Sequence, residues 1–131
     1  MRALVVDDSR AMRRIVARSL TAIGFEIDEA GDGQEALDVL EGGSVPALAC
    51  VDWNMPVMDG LTFVTRVRAN PAWRDITLMM VTTESEHGQI VRALAAGAHE
   101  YLIKPFTSDA LVEKLDLLGL VPATAPSEAW S

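Results

Sequence analysis

The sequence is poor in cysteine, in aromatic residues and in basic residues. Its 131 residues include a single cysteine, Cys50, which excludes an internal disulfide and a cysteine-based metal site. Lysine and arginine together number 11, against 19 aspartates and glutamates, and the net charge is −8. A charge of this sign disfavours general attraction to nucleic acid or to an anionic membrane surface. The composition therefore argues against disulfide-stabilised, cysteine-metal and nucleic-acid-binding proteins.

Long hydrophobic runs are also missing. The apolar run at Ala3–Val6 is too short for a signal peptide, and no stretch approaches the length of a membrane span. Half of the residues are hydrophobic and 23% are charged, which is typical of a soluble globular protein. We therefore expect a cytoplasmic protein with one domain over residues 1–120. Residues 121–131, which are rich in proline and small residues, are predicted to form a flexible tail.

Short apolar runs alternate with amphipathic stretches along the whole domain. This alternation predicts an α/β fold in which five strands and five helices form a doubly wound parallel sheet, in the flavodoxin-like order 2-1-3-4-5. The predicted strands are Ala3–Val6, Phe25–Ala30, a run around Leu48–Val51, Ile76–Val81 and Tyr101–Ile103. The predicted helices are Arg10–Ile23, Gln34–Glu41, Gly60–Ala69, Ser85–Ala96 and Ser108–Leu118.

The first of these helices has two distinct faces. Ser9 is a good N-cap for it, and Gly24 a good C-terminal stop. The helical period predicts a core-facing side made of Met12, Ile15, Val16, Ser19, Leu20 and Ile23. Arg10, Arg14 and Arg18 recur every four residues on another side.

Polar side chains follow four of the five predicted strands. Asp52 ends the apolar run Ala49–Val51, and Pro56 prevents the strand from continuing. An isolated aspartate in this position is most often a turn residue. In an open parallel sheet, however, ligands bind just outside the carboxyl ends of the strands. The other polar residues at such ends are Asp7 and Asp8 after the first strand, Thr82 after the fourth and Lys104 after the fifth.

These residue types together suit phosphoryl transfer. Three converging carboxylates, Asp7, Asp8 and Asp52, raise one another's pKa unless a cation intervenes, and oxygen-only ligands suit Mg²⁺. Beside such an ion Asp52 is the candidate nucleophile, which would form an acyl phosphate. Lys104 would supply a second positive charge and Thr82 a hydroxyl donor for the phosphoryl oxygens.

The same residues carry a resemblance to a known family. Over residues 1–120 the chain resembles the receiver domains of two-component signalling, and among them the chemotaxis regulators. The matching segments are Val5–Ser9, Asp52–Gly60, Val81–Glu84, Ala96–Ala98 and Tyr101–Phe106.

The resemblance implies a role for each site residue. Asp52 would accept phosphate from a histidine kinase or a histidine phosphotransfer domain. Mg²⁺ would be held by Asp8, Asp52 and the backbone carbonyl of Asn54, with Asp7 acting largely through water. Thr82 would then move towards the phosphoryl group and be followed by Tyr101. This movement would reshape the face made by the fourth helix, the fifth strand and the fifth helix, where a downstream protein binds.

Two further expectations concern the surroundings of the site. Asn54 and Glu84 lie two residues beyond Asp52 and Thr82, on loops at the rim, where they are predicted to control the water that hydrolyses the acyl phosphate. The basic residues of the first helix are either a docking surface for an acidic phosphodonor protein or a solvated helix face. They are Arg10, Arg13, Arg14 and Arg18.

Several functions remain open at this level. The leading hypothesis is a single-domain response regulator, with chemotaxis as a candidate pathway, which catalyses only its own phosphorylation and dephosphorylation. A phosphate shuttle or sink would have the same sequence features. A small phosphohydrolase with an aspartyl-phosphate intermediate is disfavoured, because Asn54 cannot serve as its general acid–base. A receiver that binds a guanine nucleotide through its arginines is a third alternative, and nothing beyond the presence of these arginines favours it.

Overall fold

The computed structural model describes residues 1–53, 55, 57–83, 87–104 and 106–120. Five strands form a parallel sheet whose order is second, first, third, fourth, fifth, which confirms the predicted topology. In chain order the strands are β1 (Arg2–Val6), β2 (Glu26–Ala30), β3 (Leu48–Asp52), β4 (Thr77–Thr83) and β5 (Glu100–Lys104).

Helices connect the successive strands, and most of them begin at a side-chain cap. Ser9, Asp32, Asp59 and Thr107 each accept a hydrogen bond from a backbone N–H in the first turn of the adjoining helix. The helices are α1 (Arg10–Ile23), α2 (Gly33–Glu41), α3 (Gly60–Ala69), α4 (His87–Ala96) and α5 (Ser108–Leu117). None of the helices in the described part of the chain combines the length and the apolar character that crossing a membrane requires.

The sheet is buried on both faces, as expected for a parallel sheet. Alternate residues of the central strands point to opposite faces: in β1, Leu4 and Val6 pack into one cluster while Ala3 and Val5 pack into the other. Buried residues of α2, α3 and α4 complete the first cluster, and those of α1 and α5 complete the second. The core therefore has two layers, which fix the sheet between the two sets of helices.

The inward face of α1 differs from the prediction. Ile15 was expected to face the core, but it is 53% exposed, and Ala17 is buried instead. Each residue turns about 100° around the helix axis, so a face centred on Val16 and Leu20 leaves Ile15 at its margin. The hydrophobic pattern alone did not show where the centre of that face lies.

The segment between α3 and β4 also departs from the prediction. The predicted helices and strands leave this segment out, but it contains a short 3₁₀-helix, Pro71–Trp73. Asn70 caps this turn by accepting a hydrogen bond from the backbone N–H of Ala72 at 2.9 Å. Trp73 is buried with the α3 side of the core, so the turn closes one end of that layer.

Candidate functional site at the carboxyl edge of the sheet

The strand register brings the predicted polar residues to one edge of the sheet. Val6 pairs with Val51 across β1 and β3, so Asp7 comes directly beside Asp52. Asp52 in turn pairs with Val81 of β4, and Thr83 pairs with Lys104 of β5. We call this side, where the strands end, the carboxyl edge.

Three carboxylates converge at the carboxyl edge. One carboxylate oxygen from each of Asp7, Asp8 and Asp52 lies within 4.8 Å of the others. Asp7 and Asp52 are buried, with 3% and 8% of their surfaces exposed, whereas Asp8 is exposed. The cluster is therefore open to solvent on the Asp8 side and closed on the other.

Lys104 reaches into this cluster from the end of β5. Its Nζ donates to Asp52 Oδ1 at 3.1 Å and to Asp7 Oδ2 at 3.3 Å, and only 16% of its side chain is exposed. The ammonium crosses the end of β4 to make these contacts, because β4 lies between β3 and β5. One lysine thus donates hydrogen bonds to two buried carboxylates.

The electrostatic balance of the site remains negative. Burial and then the neighbouring Asp7 carboxylate raise the pKa of Asp52 to about 6, and Lys104 only partly opposes them. For Lys104, burial acts to lower the pKa, but Asp52 and Asp7 outweigh it and the pKa is raised. Lys104 is therefore a stable cation, but its single positive charge does not neutralise the three carboxylates.

The donor set of the cluster fits a hard divalent cation. The three ligand oxygens are all carboxylate oxygens, the exposed Asp8 leaves room for water, and Lys104 does not balance the charge of the cluster. Mg²⁺ prefers such oxygen ligands and usually keeps several water molecules. Asp7, Asp8 and Asp52 are therefore able to hold Mg²⁺. Asn54 lies outside the described residues.

Gly60, at the start of α3, packs tightly against the backbone of Asp52. A Cβ on Gly60 would lie 2.7 Å from the Asp52 carbonyl oxygen, so only glycine fits there. The Gly60 N–H donates to the Trp53 carbonyl oxygen at 2.9 Å and closes the loop. Val57 has a φ of 68°, in the left-handed region that β-branched residues rarely adopt. Val57 and Gly60 are thus constrained a few residues beyond the candidate nucleophile.

Thr82 and Tyr101 lie on the same face of the sheet. Met80 pairs with Tyr101 and Thr82 pairs with Ile103, and residues two apart on a strand share a face. Thr82 is buried, with 1% of its surface exposed, whereas Tyr101 is half-buried and packs against the α3 side of the core. Lys114 Nζ lies 4.5 Å from the centroid of the Tyr101 ring, and the same Nζ donates to Glu100 Oε1 at 3.0 Å.

Arg13 was predicted with the basic surface of the first helix, but the structure turns it inward. Its Nη1 donates to the Asp7 carbonyl oxygen at 2.7 Å, and its Nε donates to Glu29 Oε1 at 3.0 Å. Only 18% of its side chain is exposed, whereas Arg10, Arg14 and Arg18 are exposed. The arginines of α1 therefore form a solvent-facing set of three, and a fourth that supports the site.

No clear signal in the sequence pointed to the role of Arg13 or of Glu29. Both contacts join separate elements, and the helical pattern marks Arg13 only as polar. The predicted rim residue Glu84, like residues 121–131, lies outside the described residues.

Comparisons with known proteins agree with this architecture. Residues 3–116 match the model of the family described as the response regulator receiver domain. The chain is 42% identical over 119 residues to chemotaxis protein CheY1 of Helicobacter pylori, a match that covers 90% of this chain and 96% of that protein. It is 46% identical over 121 residues to a chemotaxis protein CheY homolog of Campylobacter jejuni, covering 91% and 93% of the two chains.

Solved structures give the same result. The chemotaxis response regulator CheY4 of Vibrio cholerae superposes with a TM-score of 0.81 at 34% identity, over 89% of this chain and 97% of that one. The receiver domain of NtrX from Brucella abortus superposes with the same TM-score of 0.81 at 26% identity, over 88% and 95%. Together with the carboxyl-edge cluster, these matches show that the chain belongs to the response regulator receiver family, with CheY-type single-domain regulators among its relatives.

Proposed function

We propose that this chain is a phosphorylation-dependent switch in which Asp52 accepts the phosphoryl group. The observation that carries the proposal is the buried Asp52 carboxylate, which lies beside Asp7 and Asp8 and is contacted by Lys104 at 3.1 Å. Phosphoryl acceptance is typical of the receiver family to which the chain belongs. The similarity to CheY proteins over most of the chain favours chemotaxis as the pathway.

The proposed reaction forms a bond between an Asp52 carboxylate oxygen and phosphorus while the bond from phosphorus to the donor breaks, so that the donor leaves with its electron pair. Lys104 donates to a phosphoryl oxygen, because its ammonium already lies at the nucleophile. The Thr82 hydroxyl, buried one residue beyond the partner of Asp52, supplies a further donor. The protein thereby catalyses its own phosphorylation.

The cluster of Asp7, Asp8 and Asp52, with the Asn54 backbone carbonyl, is the proposed Mg²⁺ site. When bound, the ion would offset the repulsion between the negatively charged phosphoryl group and the carboxylates. The buried side chain of Asp7 is hydrogen-bonded to Lys104 and to the Ser9 N–H, so it is proposed to act on the ion largely through water. Direct ligation then falls to Asp8 and Asp52.

The proposed output passes from Thr82 to Tyr101. A shift of Thr82 towards the phosphoryl group changes the space on the face that it shares with Tyr101, which packs there under Lys114. The face of α4, β5 and α5 is the proposed binding surface for a downstream protein. Val91 and Leu94 on α4, 68% and 39% exposed, provide apolar contacts on it.

The proposed phosphodonor protein is a histidine kinase or a histidine phosphotransfer domain. Arg10, Arg14 and Arg18 are exposed on successive turns of α1, whose N-terminus comes just after Asp7 and Asp8. An acidic partner docked on this face would be next to the site.

Asn54 and Glu84 are proposed to set the rate of dephosphorylation, so their substitution should change the decay rate and leave Mg²⁺ affinity nearly unchanged.

Phosphorylation by a small-molecule donor tests the proposal directly. We expect acetyl phosphate with Mg²⁺ to add one phosphoryl group, detected by intact-protein mass spectrometry, and EDTA to prevent the addition. Asp52→Asn should abolish it, whereas Asp75→Asn, at an exposed aspartate, should not. Undiminished modification of the Asp52→Asn protein would refute the assignment. A pull-down with phosphorylated and unphosphorylated protein would then separate an output switch from a phosphate sink, which binds no target.

A further inference from the structure

We propose that Arg13 is a positioning residue for the metal-binding carboxylates, and that it acts through the peptide group that joins Asp7 to Asp8. The inference rests on the proposed function, in that these carboxylates hold Mg²⁺. It concerns a side chain that does not belong to the carboxylate cluster itself. The role follows from two contacts of this side chain, one with the Asp7 carbonyl oxygen and one with Glu29.

The first contact fixes the backbone between two proposed ligands. Arg13 Nη1 donates to the Asp7 carbonyl oxygen at 2.7 Å, the shortest of the contacts that hold this segment. That carbonyl belongs to the peptide group whose nitrogen is that of Asp8. Because a peptide group is planar, its orientation sets the directions in which the Asp7 and Asp8 side chains leave the backbone.

The second contact fixes the guanidinium. Arg13 Nε donates to Glu29 Oε1 of β2 at 3.0 Å, so the side chain links α1, the loop after β1, and β2. The loop after β2 packs nearby: a Cβ on Gly31 would lie 3.6 Å from Arg13 Nη1 and 3.1 Å from Glu35 Oε2. The guanidinium is therefore fixed in position relative to the loop after β1.

Asp8 depends on this support more than its neighbours do. Asp7 is held on three sides: its N–H donates to the Ala30 carbonyl oxygen at 3.1 Å, and its carboxylate accepts from the Ser9 N–H at 2.8 Å and from Lys104. In the described part of the chain, no hydrogen bond reaches the Asp8 carboxylate. The position of the Asp8 carboxylate is therefore set by its backbone, whose preceding peptide group Arg13 holds.

Charge and position predict opposite effects of removing Arg13. If Arg13 acted only as a positive charge near a cation site, its removal would tighten Mg²⁺ binding. If it positions Asp8, its removal weakens Mg²⁺ binding, as loss of an outer-shell partner typically costs ten- to a hundred-fold in metal affinity. The loss should be larger for Mg²⁺ than for Ca²⁺, because Mg²⁺ demands near-ideal octahedral geometry whereas Ca²⁺ accepts irregular sites.

The test is a titration of the ¹⁵N-labelled full chain with MgCl₂ or with CaCl₂, monitored by the amide shifts of residues 7–9. For Arg13→Gln we expect the Kd for Mg²⁺ to rise about ten-fold and the Kd for Ca²⁺ to rise less than about three-fold. Arg14→Gln is the matched control, because it removes the same charge from the next, exposed residue. It should leave both constants within about two-fold, or tighten them slightly.

Arg13→Lys is the second variant, for the case in which Arg13→Gln does not fold. It keeps the charge, but one ammonium cannot span the Asp7 carbonyl and Glu29 as the planar guanidinium does, so positioning predicts weaker Mg²⁺ binding here too. Unchanged or tighter Mg²⁺ binding in the folded Arg13 variants would overturn the inference. Equal weakening of Mg²⁺ and Ca²⁺ would also overturn it, since it would indicate general disruption of the site.

Asp8→Asn separates this inference from the proposed function. If it weakens Mg²⁺ binding and the Arg13 variants do not, the metal site stands and the role of Arg13 is wrong. If the wild-type chain shows no Mg²⁺-dependent shifts at residues 7–9, the proposed metal site fails and the inference fails with it. Weakening by both Asp8→Asn and Arg13→Gln, with Ca²⁺ less affected in the Arg13 variant, supports both.

Discussion

The two ends of the sheet differ in how far other protein groups neutralise or hydrogen-bond their charged side chains. At the carboxyl edge, Asp7, Asp8 and Asp52 share one lysine, and the pKa of Asp52 is raised to about 6. At the opposite end, where β4 and β5 begin, the Arg68 guanidinium makes four hydrogen bonds within the protein. Its guanidinium donates to the carbonyl oxygens of Arg74, Ile76 and Gly97 at 3.1, 2.8 and 2.9 Å, and to His99 Nδ1 at 3.0 Å.

His99 completes the arrangement around Arg68. Its Nδ1 also accepts a hydrogen bond from the Leu78 N–H at 3.1 Å, so the ring is neutral and carries its proton on Nε2. Burial, and then the charge of Arg68, lower the pKa of His99. His99 is exposed, but one of its ring nitrogens joins β4 to the loop before β5.

The comparison separates structural charge from functional charge. Arg68 lies so close over Gly97 that a Cβ there would be 2.6 Å from Arg68 Cγ, and Gly97 has a φ of 122° that favours glycine. Close packing and these hydrogen bonds stabilise the fold at this end. The carboxyl edge has more negative charge than Lys104 neutralises, which favours a bound cation at some cost in stability.

Removal of the Lys104 ammonium from the carboxyl edge should have the largest effect. For Lys104→Met we expect the rate of phosphorylation by acetyl phosphate with Mg²⁺ to fall about a hundred-fold or more, since a preorganised donor to the transferring group is lost. Lys114→Met, which removes a lysine from α5 near Tyr101, is the control and should react at nearly the wild-type rate. A rate for Lys104→Met within about three-fold of wild type would show that Lys104 does not stabilise the transfer.

Removal of the Arg68 guanidinium from the opposite end should instead cost stability. For Arg68→Met we expect the free energy of unfolding to fall by about 3 kcal/mol, because three carbonyl groups and a ring nitrogen lose their donor. The measurement is urea denaturation monitored by circular dichroism. Arg66→Met, at an exposed position of the same helix, is the control and should change the stability by less than about 0.5 kcal/mol. Equal stability of the two variants would contradict the structural role of Arg68.

Neutralising Asp52 should stabilise the protein when no metal is present. Because the folded-state pKa is raised, the folded protein binds the proton more tightly than the unfolded chain, and ionisation of Asp52 lowers stability as the pH rises from the ordinary pKa of 3.8 to about 6. In EDTA at pH 7.5 we expect Asp52→Asn to add about 1 to 2 kcal/mol to the free energy of unfolding. The gain should vanish near pH 4, and Mg²⁺ should stabilise the wild type more than the variant.

A larger gain for Asp52→Asn at pH 4 than at pH 7.5 would contradict this account, because the sign of the linkage would be reversed. The matched control is Asp75→Asn, whose exposed carboxylate should produce no comparable gain.

Acid should weaken the opposite end through His99. Since the folded-state pKa of His99 is lowered, the unfolded chain takes up the proton first. Its stabilising contribution is therefore complete above the ordinary pKa of 6.5 and is lost as the pH falls below that value. We expect the free energy of unfolding to fall between pH 7.5 and pH 5, measured in Asp52→Asn so that Asp52 does not titrate in the same range.

The matching control is the double variant with His99→Gln, which should lack this part of the pH dependence. If the single and double variants lose the same stability on acidification, the neutral ring of His99 does not contribute to the fold.

The local pattern was sufficient to predict which strands exist and which polar residues come at their ends. Apolar runs of strand length alternate with amphipathic helices, and this alternation implies a parallel sheet whose carboxyl ends share one edge. Asp7, Asp8, Asp52, Thr82 and Lys104 were assigned to that edge on this basis, and the structure places all five there. Their placement could be predicted because each of them comes at the carboxyl end of an apolar run, and parallel strands bring these ends to the same edge.

The tertiary structure alone decided which charged side chains turn inward. Lys104 meets Asp7 across 97 positions of the chain, and Arg68 meets His99 across 31. Helical periodicity marks Arg13 and Arg14 alike as polar, yet one supports the Asp7–Asp8 peptide while the other is exposed. A long side chain has many rotamers, and the one it adopts depends on acceptors that other elements provide. Sequence therefore determined the edge and its chemistry, whereas packing between elements determined which charges are balanced and which are left for a ligand.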